Sequence, residues 1–376
     1  MKLKEFATIN MGQSPKGETY NTNGNGMPFL QGRKTFGRIY PTIDTWTTNP
    51  IKIANKNEIL MSVRAPVGDM NFANQQICIG RGLCSINAKN GRNKYLYYML
   101  LNSMNDLKQK STGTVFDSIN RNDLENLEID FHSEESQEKI ENILGNIDSK
   151  IELNNEINNN LYELAINYLN EKVEETEVPV SKFAKIQGGY AFKSKDLIDV
   201  HTKNRIIKIK NLRSEINADV INSQFVENEV VEKLDNKFRL SKGDVAIAMT
   251  GAELGKTGFI YGNDNYFLNQ RVGVIRGNNK ASELYLKILF LSDEFQTLLN
   301  SKGYGSAQPN VSTSDIENIL INDITEDNLK KLYEIIKPIY EKIISNSEEI
   351  LNLEQLRDTL LPKMMNGEID LDNIEI

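Results

Sequence analysis

The apolar and polar positions of the chain follow the same order twice. In each half, short apolar, β-prone runs follow turn-forming residues, and an apolar run of helical character comes after them. Five blocks match in order: EFATINMGQSPKG (5–17) with KFAKIQGGYAFKS (182–194), KNEILMSV (56–63) with KGDVAIAM (242–249), ICIGRGLCSI (77–86) with FLNQRVGVI (267–275), YLYYMLLNS (95–103) with YLKILFLSD (285–293), and SINRNDLENLEI (118–129) with NVSTSDIENILI (310–321). The offset grows slowly along the chain, as loop insertions would produce. We therefore predict a duplicated unit.

Each half ends in a long segment with helical periodicity. Ser133 and Thr325 are the predicted N-caps, and acidic residues follow both, as the helix dipole favours. Apolar residues then recur at alternating steps of four and three, which is the a/d pattern of a coiled coil. The predicted seam positions are Ile140, Leu144, Ile147, Ile151, Asn154 and Leu161 in the first helix, and Leu332, Ile336, Ile339, Ile343, Asn346 and Leu353 in the second.

The two seams are expected to pack against each other, because neither can remain in water. Asn154 and Asn346 occupy equivalent seam positions, where a buried asparagine fixes register at some cost in stability. The alternative is that each helix packs separately on its own domain. Pro338 falls inside the second run and indicates either a kink or the real start of that helix.

The net charge of −8 argues at first against a nucleic-acid partner. Counted by segment, the balance is +5 over residues 1–132, −9 over 133–177, +3 over 178–322 and −7 over 323–376. Phosphate contact depends on local charge, because screening weakens exposed interactions beyond about 8–10 Å. Ordinary scatter explains either basic segment alone. The alternation of two mildly basic and two strongly acidic segments is harder to explain by scatter, so the net charge does not exclude a nucleic-acid partner.

The cysteines, the histidines and the hydropathy pattern exclude several classes. Cys78 and Cys84, six residues apart, fit one face of a single strand as two buried thiols, and His132 and His201 are remote from both, so no metal site is expected. No apolar run approaches the ~18 residues that span a bilayer. The N-terminus has no apolar signal region. A cytoplasmic protein without a membrane segment is the expectation.

One motif resembles a phosphate-binding loop. Residues 251–257, Gly-Ala-Glu-Leu-Gly-Lys-Thr, follow an apolar strand, but three residues separate the glycines where the phosphate loop has four. The equivalent segment of the first half, residues 64–69, has no Lys-Thr pair. A duplicated loop that packs on its strand explains both. With no methyl-transfer motif, nuclease cluster or nucleophile elbow in the sequence, we expect a protein that is not an enzyme.

The order of unit, long helix, second unit and second long helix resembles the specificity subunits of type I restriction–modification systems. The unit openings, GRGLCSI and NQRVGVI at matching places, and the tail LRDTLLPKMMNGEIDL carry the resemblance over nearly the whole chain. It implies an α+β fold with a pseudo-two-fold repeat, in which two mixed α/β target-recognition domains are joined by two long helices that pair as an antiparallel coiled coil. The implied target-recognition domains are residues 1–132 and 178–322, and the implied conserved helices are residues 133–177 and 323–376.

The resemblance also implies a function in DNA recognition. Each domain would read one part of a bipartite double-stranded DNA target, and two modification (methyltransferase) subunits would dock on the chain. S-adenosylmethionine is expected on those subunits and no cofactor on this chain; restriction (nuclease/translocase) subunits complete some systems. Two alternatives stay open: a protein–protein scaffold, and a specificity subunit of a related phage-defence methyltransferase system.

Base reading calls for arginine or lysine against guanine, and asparagine or glutamine against adenine. Taken singly, each candidate fits a solvated or phosphate-facing role better than a base-reading one, so the loops as groups are the firmer prediction. The candidates are Gln31, Arg33, Lys34, Arg38, Arg64 and Arg81 in the first domain, and Lys208, Lys210, Asn211, Arg213, Gln270 and Arg271 in the second, with Tyr304, Ser306 and Gln308 in a glycine-rich loop.

Overall fold

The computed structural model describes residues 1–110, 118–212, 216–302 and 310–371. The chain divides into two compact units. Unit 1 comprises Met1–Asp148 with Gln355–Ile376, and unit 2 comprises Ser149–Glu354. Each unit includes parts of both long helices, so the division of the chain into four successive segments stays a prediction.

In the described part of unit 1, nine short strands and three helices precede the first long helix. They are α1 Leu3–Phe6, β1 Ala7–Met11, β2 Tyr20–Asn21, β3 Met27–Leu30, β4 Trp46–Thr47, β5 Ile53–Ala54, β6 Ile59–Ser62, β7 Met70–Phe72, β8 Ile77–Ile79, β9 Leu83–Ala88, α2 Asn93–Lys110 and α3 Arg121–Glu125; the long helix α4 is Glu134–Asn170.

The strands of unit 1 form two sheets. One has four strands in the order β1-β9-β6-β7, all antiparallel. The other has five strands in the order β2-β4-β3-β8-β5, and its β3 and β8 run parallel. Cys78 lies in β8 and Cys84 in β9, so the prediction of a single strand for both is wrong, because the turn Gly80-Arg81-Gly82 separates them. Both cysteines are buried and free.

Unit 2 repeats this series of elements. They are β10 Glu177–Pro179, β11 Ala184–Gly188, β12 Leu197–Ile198, β13 Asn204–Ile207, β14 Gln224–Val226, α5 Asn228–Val231, β15 Arg239–Leu240, β16 Val245–Ala248, β17 Thr257–Phe259, β18 Asn265–Leu268, β19 Val272–Gly277, α6 Lys280–Phe290, α7 Asp293–Lys302, α8 Thr313–Glu317, β20 Leu320–Asn322 and the long helix α9 Glu326–Met365.

The sheets of unit 2 have the strand orders of unit 1. The four-stranded sheet is β11-β19-β16-β17, and the five-stranded sheet is β12-β14-β13-β18-β15 with β13 parallel to β18. The registers correspond too: β1 pairs with β9 from Ala7↔Ala88 onward, and β11 pairs with β19 from Ala184↔Gly277 onward. The predicted duplication and the α+β fold class are confirmed.

Local sequence explains these elements. In β1, Ala7 and Ile9 are buried and Thr8 between them is exposed, which is the alternation of a strand with one covered face. Helix α3 begins at a capping box of Asn120 and Asp123, and α8 at one of Ser312 and Asp315, 192 residues further on. Equivalent positions of the two units thus use equivalent caps.

Each unit has its own apolar core. The larger core of unit 1 lies between the four-stranded sheet, α2 and the ends of the long helices, with Tyr95 fully buried. The core of unit 2 is centred on β16, β19 and α6, with Tyr285 at the equivalent place. These cores give the loops at the strand ends a fixed support.

The long helices begin where the sequence predicts. The Ser133 hydroxyl accepts the N–H of Ser136 at 3.2 Å, and the Thr325 hydroxyl accepts that of Asn328 at 3.3 Å. Pro338 lies inside α9, so the prediction that it marks the helix start is wrong. The N-cap at Thr325 and the buried Leu332 and Ile336 hold the preceding turns in the helix although proline removes one backbone hydrogen bond.

The two helices run antiparallel in each unit. In unit 2, Asn154 contacts Glu349 while Asn158 contacts Asn346, so the partner number falls as the residue number rises. In unit 1, Asp148 pairs with Arg357 at 2.9 Å. Most predicted seam residues are buried, namely Ile140, Leu144, Ile151, Asn154, Leu332, Ile336, Ile343 and Asn346, and the rest are half-buried, namely Ile147, Leu161, Ile339 and Leu353. The predicted antiparallel pairing is confirmed.

Candidate nucleic-acid interface

In unit 1 two parallel strands end at the same edge of the five-stranded sheet. Leu30 of β3 pairs with Ile79 of β8, and the chain continues from both into polar loops. Residues 31–35 and 80–82 form these loops, which we call the loop pair of unit 1. The N–H of Gly82 donates to the carbonyl of Gln31 at 3.2 Å. The predicted residues Gln31 and Arg81, fifty positions apart, are therefore neighbours, and both are exposed.

Ser14 joins the two loops, and the sequence analysis missed it. Its hydroxyl lies 3.0 Å from the side-chain oxygen and 2.9 Å from the side-chain nitrogen of Gln31. The same hydroxyl accepts the backbone N–H of Arg81 at 3.2 Å. The sequence signal is the position of Ser14 three residues after the end of β1, in the block repeated at the start of both units. Ser14 therefore orients Gln31 and fixes the loop that carries Arg81.

Close backbone approach requires glycine beside each loop pair. A Cβ atom on Gly12 would lie 2.2 Å from the carbonyl oxygen of Gly80, and one on Gly189 would lie 2.1 Å from that of Asn269. No side chain fits at such a distance. The glycines at the ends of the two equivalent strands β1 and β11 thus let the polar loops approach.

Three further predicted cations of unit 1 lie on or beside this edge. Arg33 is exposed and forms an ion pair with Asp69, and Lys34 next to it is exposed. Arg64 follows Val63, whose N–H donates to the carbonyl of Gly82 at 3.0 Å. An exposed ion pair contributes little to stability, so Arg33 can exchange Asp69 for a phosphate at small cost.

Arg38 has a different environment. It is half-buried and lies close enough to Tyr97 of α2 to act on the pKa of that phenol, which burial raises and Arg38 partly lowers. Its predicted role in DNA binding stays a prediction.

Unit 2 presents the equivalent edge. Ile207 of β13 pairs with Leu268 of β18 in parallel, and the N–H of Asn269 donates to the carbonyl of Ile207 at 3.1 Å. Residues 208–212 and 269–271 form the loop pair of unit 2. The predicted residues on its surface are Lys208, which is half-buried, and Lys210, Gln270 and Arg271, which are exposed.

Hydrogen bonds orient two cations of this edge. The Lys208 ammonium donates to the side-chain oxygen of Gln224 at 2.5 Å, and Arg271 donates to Asn310 at 3.4 Å. Burial, and then the nearby charge of Lys210, lower the pKa of Lys208. A second cation so close costs free energy in the unbound protein, and an anionic partner relieves that cost.

Asn211 is not available to a base in this structure. Its side chain is 1% exposed; the amide oxygen accepts the N–H of Lys208 at 3.0 Å, and the amide nitrogen donates to the carbonyl of Asp219 at 3.0 Å. The residue closes the turn that presents Lys208 and Lys210. We therefore leave Asn211 out of the interface. Arg213, Tyr304, Ser306 and Gln308 lie outside the described residues.

The segment that resembles a phosphate loop has another structure. It leads into strand β17, where a phosphate loop leads into a helix, and its Lys256 forms an ion pair with Glu253. Thr257 is buried and accepts a hydrogen bond from Gln296 at 3.2 Å. The loop is a packing element. Within the described ranges, no cluster of three histidine, cysteine or acidic side chains suits a metal ion, and no helix is long and apolar enough to cross a membrane.

The chemistry offered at both edges is hydrogen bonding. Guanidinium, ammonium and carboxamide groups stand on loops supported by parallel strands. Such groups are the donors and acceptors that bind phosphates and the edges of bases. Ser14 and Gln224 fix the direction of one such group in each unit.

The similarity to known proteins agrees with this geometry. Methanocaldococcus jannaschii has a type I restriction enzyme MjaX specificity subunit that is 40% identical over 152 residues; the match covers 40% of this chain and only 36% of that relative. Its type I restriction enzyme MjaIX specificity subunit is 24% identical over 99% of this chain and 94% of its own length. The crystal structure of the type I restriction–modification S subunit from M. genitalium shares the fold, with a TM-score of 0.54, 17% identity, and coverage of 97% of this chain and 95% of that one.

The sequence model of the type I restriction modification DNA specificity domain matches residues 1–163 and again residues 190–355. The two matches repeat in the order of the two units and cover most of the chain. The protein therefore belongs to the family of the type I restriction modification DNA specificity domain.

Proposed function

We propose that this chain is the DNA-sequence specificity subunit of a type I restriction–modification complex. Each unit binds one part of a bipartite duplex target. The proposal rests on membership of the family and on one structural observation. The same sheet edge, built from parallel strands, carries exposed cationic and carboxamide side chains in both units.

The two kinds of side chain at this edge suit different contacts, one with phosphates and the other with bases. Lys34 and Arg33 in unit 1, and Lys210 in unit 2, suit phosphates, which position the protein without reading sequence. Gln31 and Arg81 in unit 1, and Gln270 in unit 2, suit base edges in the major groove. The mixture on one edge is what a half-site reader requires.

The chain has no catalytic role in this proposal. Two modification subunits supply the methyl-transfer site and bind S-adenosylmethionine, while this chain binds no cofactor. They dock on the segments around the long helices, whose strong negative charge repels DNA and leaves these surfaces to protein partners. Restriction subunits join where a system has them. Because the partner is genomic DNA, the proposed place of action is the cytoplasm.

Methylation profiling of a host with and without this gene tests the proposal. We expect a split methylated motif in the strain that has the gene and the loss of that motif on deletion. A methylome that is unchanged in a strain expressing the whole system would contradict the role.

A binding experiment separates DNA reading from a scaffold role. The chain assembled with its modification subunits is titrated with duplex DNA at several salt concentrations. Lys34→Ala should weaken binding to all sequences about equally and lower the log–log salt slope by about 1. Lys233→Ala, at an exposed position of unit 2 outside the loop pairs and the long helices, is the matched control and should leave affinity unchanged. Equal binding by both variants and the wild type would favour the scaffold.

A further inference from the structure

The repeated backbone makes individual positions of the two units comparable. The N–H of Gln13 donates to the carbonyl of Ile79, and the N–H of Tyr190 donates to that of Leu268, both at 2.9 Å. Ser14 of unit 1 is therefore equivalent to Ala191 of unit 2. The pairs Leu30↔Ile79 and Ile207↔Leu268 make Gln31 equivalent to Lys208 in the same way.

A third pair of equivalent positions lies on the neighbouring strand. Asn21 pairs with Trp46 in unit 1, and Ile198 pairs with Phe225 in unit 2. Thr45 and Gln224 directly precede Trp46 and Phe225, so they are equivalent. The two units therefore share the backbone but differ in side chain at three equivalent positions in or beside the loop pair. These are Ser14 and Ala191, Gln31 and Lys208, and Thr45 and Gln224.

In unit 1 these positions produce an oriented carboxamide. Ser14 lies within hydrogen-bond distance of both polar atoms of the Gln31 side chain, at 3.0 and 2.9 Å. A carboxamide has two acceptor sites on oxygen and two donor hydrogens on nitrogen. The hydroxyl bridges the two atoms, so the acceptor site on oxygen and the donor hydrogen on nitrogen that remain point to opposite sides of the group. The remaining acceptor suits the N6 amino group of adenine, where guanine presents the acceptor O6.

In unit 2 the same positions produce an oriented ammonium. Lys208 has three donor hydrogens, and Gln224 takes one of them. The two others remain for an acceptor pair such as O6 and N7 of guanine. The half-buried stem of Lys208 limits the directions that its amine can take.

At these positions each unit has a hydrogen-bonding partner for its own residue alone: Ser14 for Gln31 in unit 1, and Gln224 for Lys208 in unit 2. Ala191 of unit 2 has no hydroxyl that could bind the side chain of Lys208. The Thr45 hydroxyl donates to Asp44 at 2.8 Å in unit 1, and Gln224 of unit 2 contacts Lys208. Reader and partner have therefore changed together between the two copies, as selection for two different half-sites would produce.

We propose that Gln31 with Ser14, and Lys208 with Gln224, are the specificity-determining pairs of the two half-sites. Gln31 reads an adenine in the half-site of unit 1, and Lys208 reads a guanine at the corresponding place in the half-site of unit 2. Ser14 and Gln224 are positioning residues that act through their readers. This inference rests on the proposed function.

The test exchanges the residue set of one unit. The triple variant Ser14→Ala, Thr45→Gln and Gln31→Lys gives unit 1 the set of unit 2. The chain, assembled with its modification subunits, is selected against a library of duplexes randomised over both half-sites. We expect one position of the unit 1 half-site to change from adenine to guanine, and the unit 2 half-site to stay the same.

Single variants keep the proposal falsifiable if the triple variant does not fold. Ser14→Ala should reduce the preference for adenine over guanine at that position about tenfold, with the thermal midpoint near that of the wild type. Ser14→Thr, which keeps the hydroxyl, should restore the preference. A merely structural role would lower stability and leave the base ratio unchanged.

The possible outcomes distinguish a failure of the proposed function from a failure of the specificity-determining pairs alone. If the wild-type complex selects no bipartite motif, the proposed function fails and this inference fails with it. If the wild type selects a bipartite motif, but Ser14→Ala and Gln31→Ala leave every base ratio unchanged, only the assignment of the specificity-determining pairs is overturned. An altered ratio in the unit 2 half-site on mutation of Gln31 would overturn it as well.

Discussion

Asn346 donates a hydrogen bond from its side-chain amide to the side-chain oxygen of Asn158 at 2.9 Å, within the helix pair of unit 2. Both side chains are buried, at 1% and 3% exposure. The Asn158 amide in turn donates to the Ser347 hydroxyl at 3.1 Å. A polar layer in an apolar seam lets only one register satisfy its groups.

Replacing one member of this layer should cost more than replacing both. Asn346→Leu leaves the oxygen of Asn158 buried and unpaired, and we expect a loss of about 1–3 kcal/mol. In Asn158→Leu with Asn346→Leu, no carboxamide remains unpaired and apolar packing offsets much of the loss. Urea unfolding followed by circular dichroism measures both. A double variant as unstable as the sum of the single variants would show that the two residues are not coupled.

The glycines that allow the close backbone approach beside the loop pairs give a second prediction. In Gly12→Ala the new methyl group would overlap the carbonyl of Gly80, so the backbone must move, and we expect a loss of about 2 kcal/mol or more. Gly17→Ala is the matched control, because nothing lies within 4 Å of its Cβ position. Trp46, the single tryptophan, lies in unit 1, so its fluorescence follows the unfolding of that unit in urea. Equal midpoints for the two variants would contradict the close approach.

The sequence predicted the features that depend on local period and on repetition. The duplicated unit, the caps at Ser133 and Thr325 and the seam residues follow from patterns within one segment or between copies. The proximity of Gln31 and Arg81 does not, because it depends on parallel pairing between strands about fifty residues apart. The contact of each with Ser14 depends on the same pairing.

The errors have the same physical origin. Asn211 stands among lysines in a polar loop, and only the folded turn shows that the N–H of Lys208 and the carbonyl of Asp219 bind the two ends of its amide. Arg357 lies four residues after the seam position Leu353, and its ion pair there depends on Asp148 of the other helix, 2.9 Å away. A sequence pattern records where a polar residue stands, but not which distant group satisfies it.

His132 should make the stability of unit 1 depend on pH. Its Nδ1 atom lies 2.8 Å from the hydroxyl of the buried Tyr95, and burial lowers the pKa of His132 below its ordinary value. As the pH falls through about 6.5, the unfolded chain takes up a proton that the folded chain does not. Unit 1 should therefore lose stability between about pH 7.5 and 5.5.

The urea midpoint reported by Trp46 measures this dependence. The carboxylates whose pKa lies below the ordinary value, such as Asp323, contribute only at lower pH, below about 4.5. In His132→Asn, the side-chain oxygen can still accept from Tyr95 but does not titrate. We expect its midpoint to change less over this range than that of the wild type. A parallel pH profile for both would show that His132 is not the source.

The last prediction concerns Asp244, which is 3% exposed in unit 2. Its carboxylate accepts the N–H of Ser241 at 2.8 Å and pairs with Arg276 at 2.9 Å and Lys287 at 3.4 Å. Asp244→Asn removes the charge that pairs with Arg276 and Lys287, and the mostly buried Lys287 keeps its ion pair with Glu283 at 2.7 Å. Removing one partner of a buried ion pair costs about 3–5 kcal/mol; because Arg276 is partly solvated, we expect the lower end.

Two further variants identify the cause of that loss. Asp244→Asn with Lys287→Met removes the mostly buried cation, and because Glu283 then loses its ion pair, only part of the stability should be recovered. Glu341→Gln, which breaks an exposed pair with Lys337, should leave the transition unmoved. Circular dichroism in urea detects the change in unit 2, and Trp46 fluorescence shows whether unit 1 is unaffected. If Asp244→Asn unfolds at the same urea concentration as the wild type, Glu283 and water are sufficient partners for the two cations, and the buried carboxylate is not what holds β16 and α6 together.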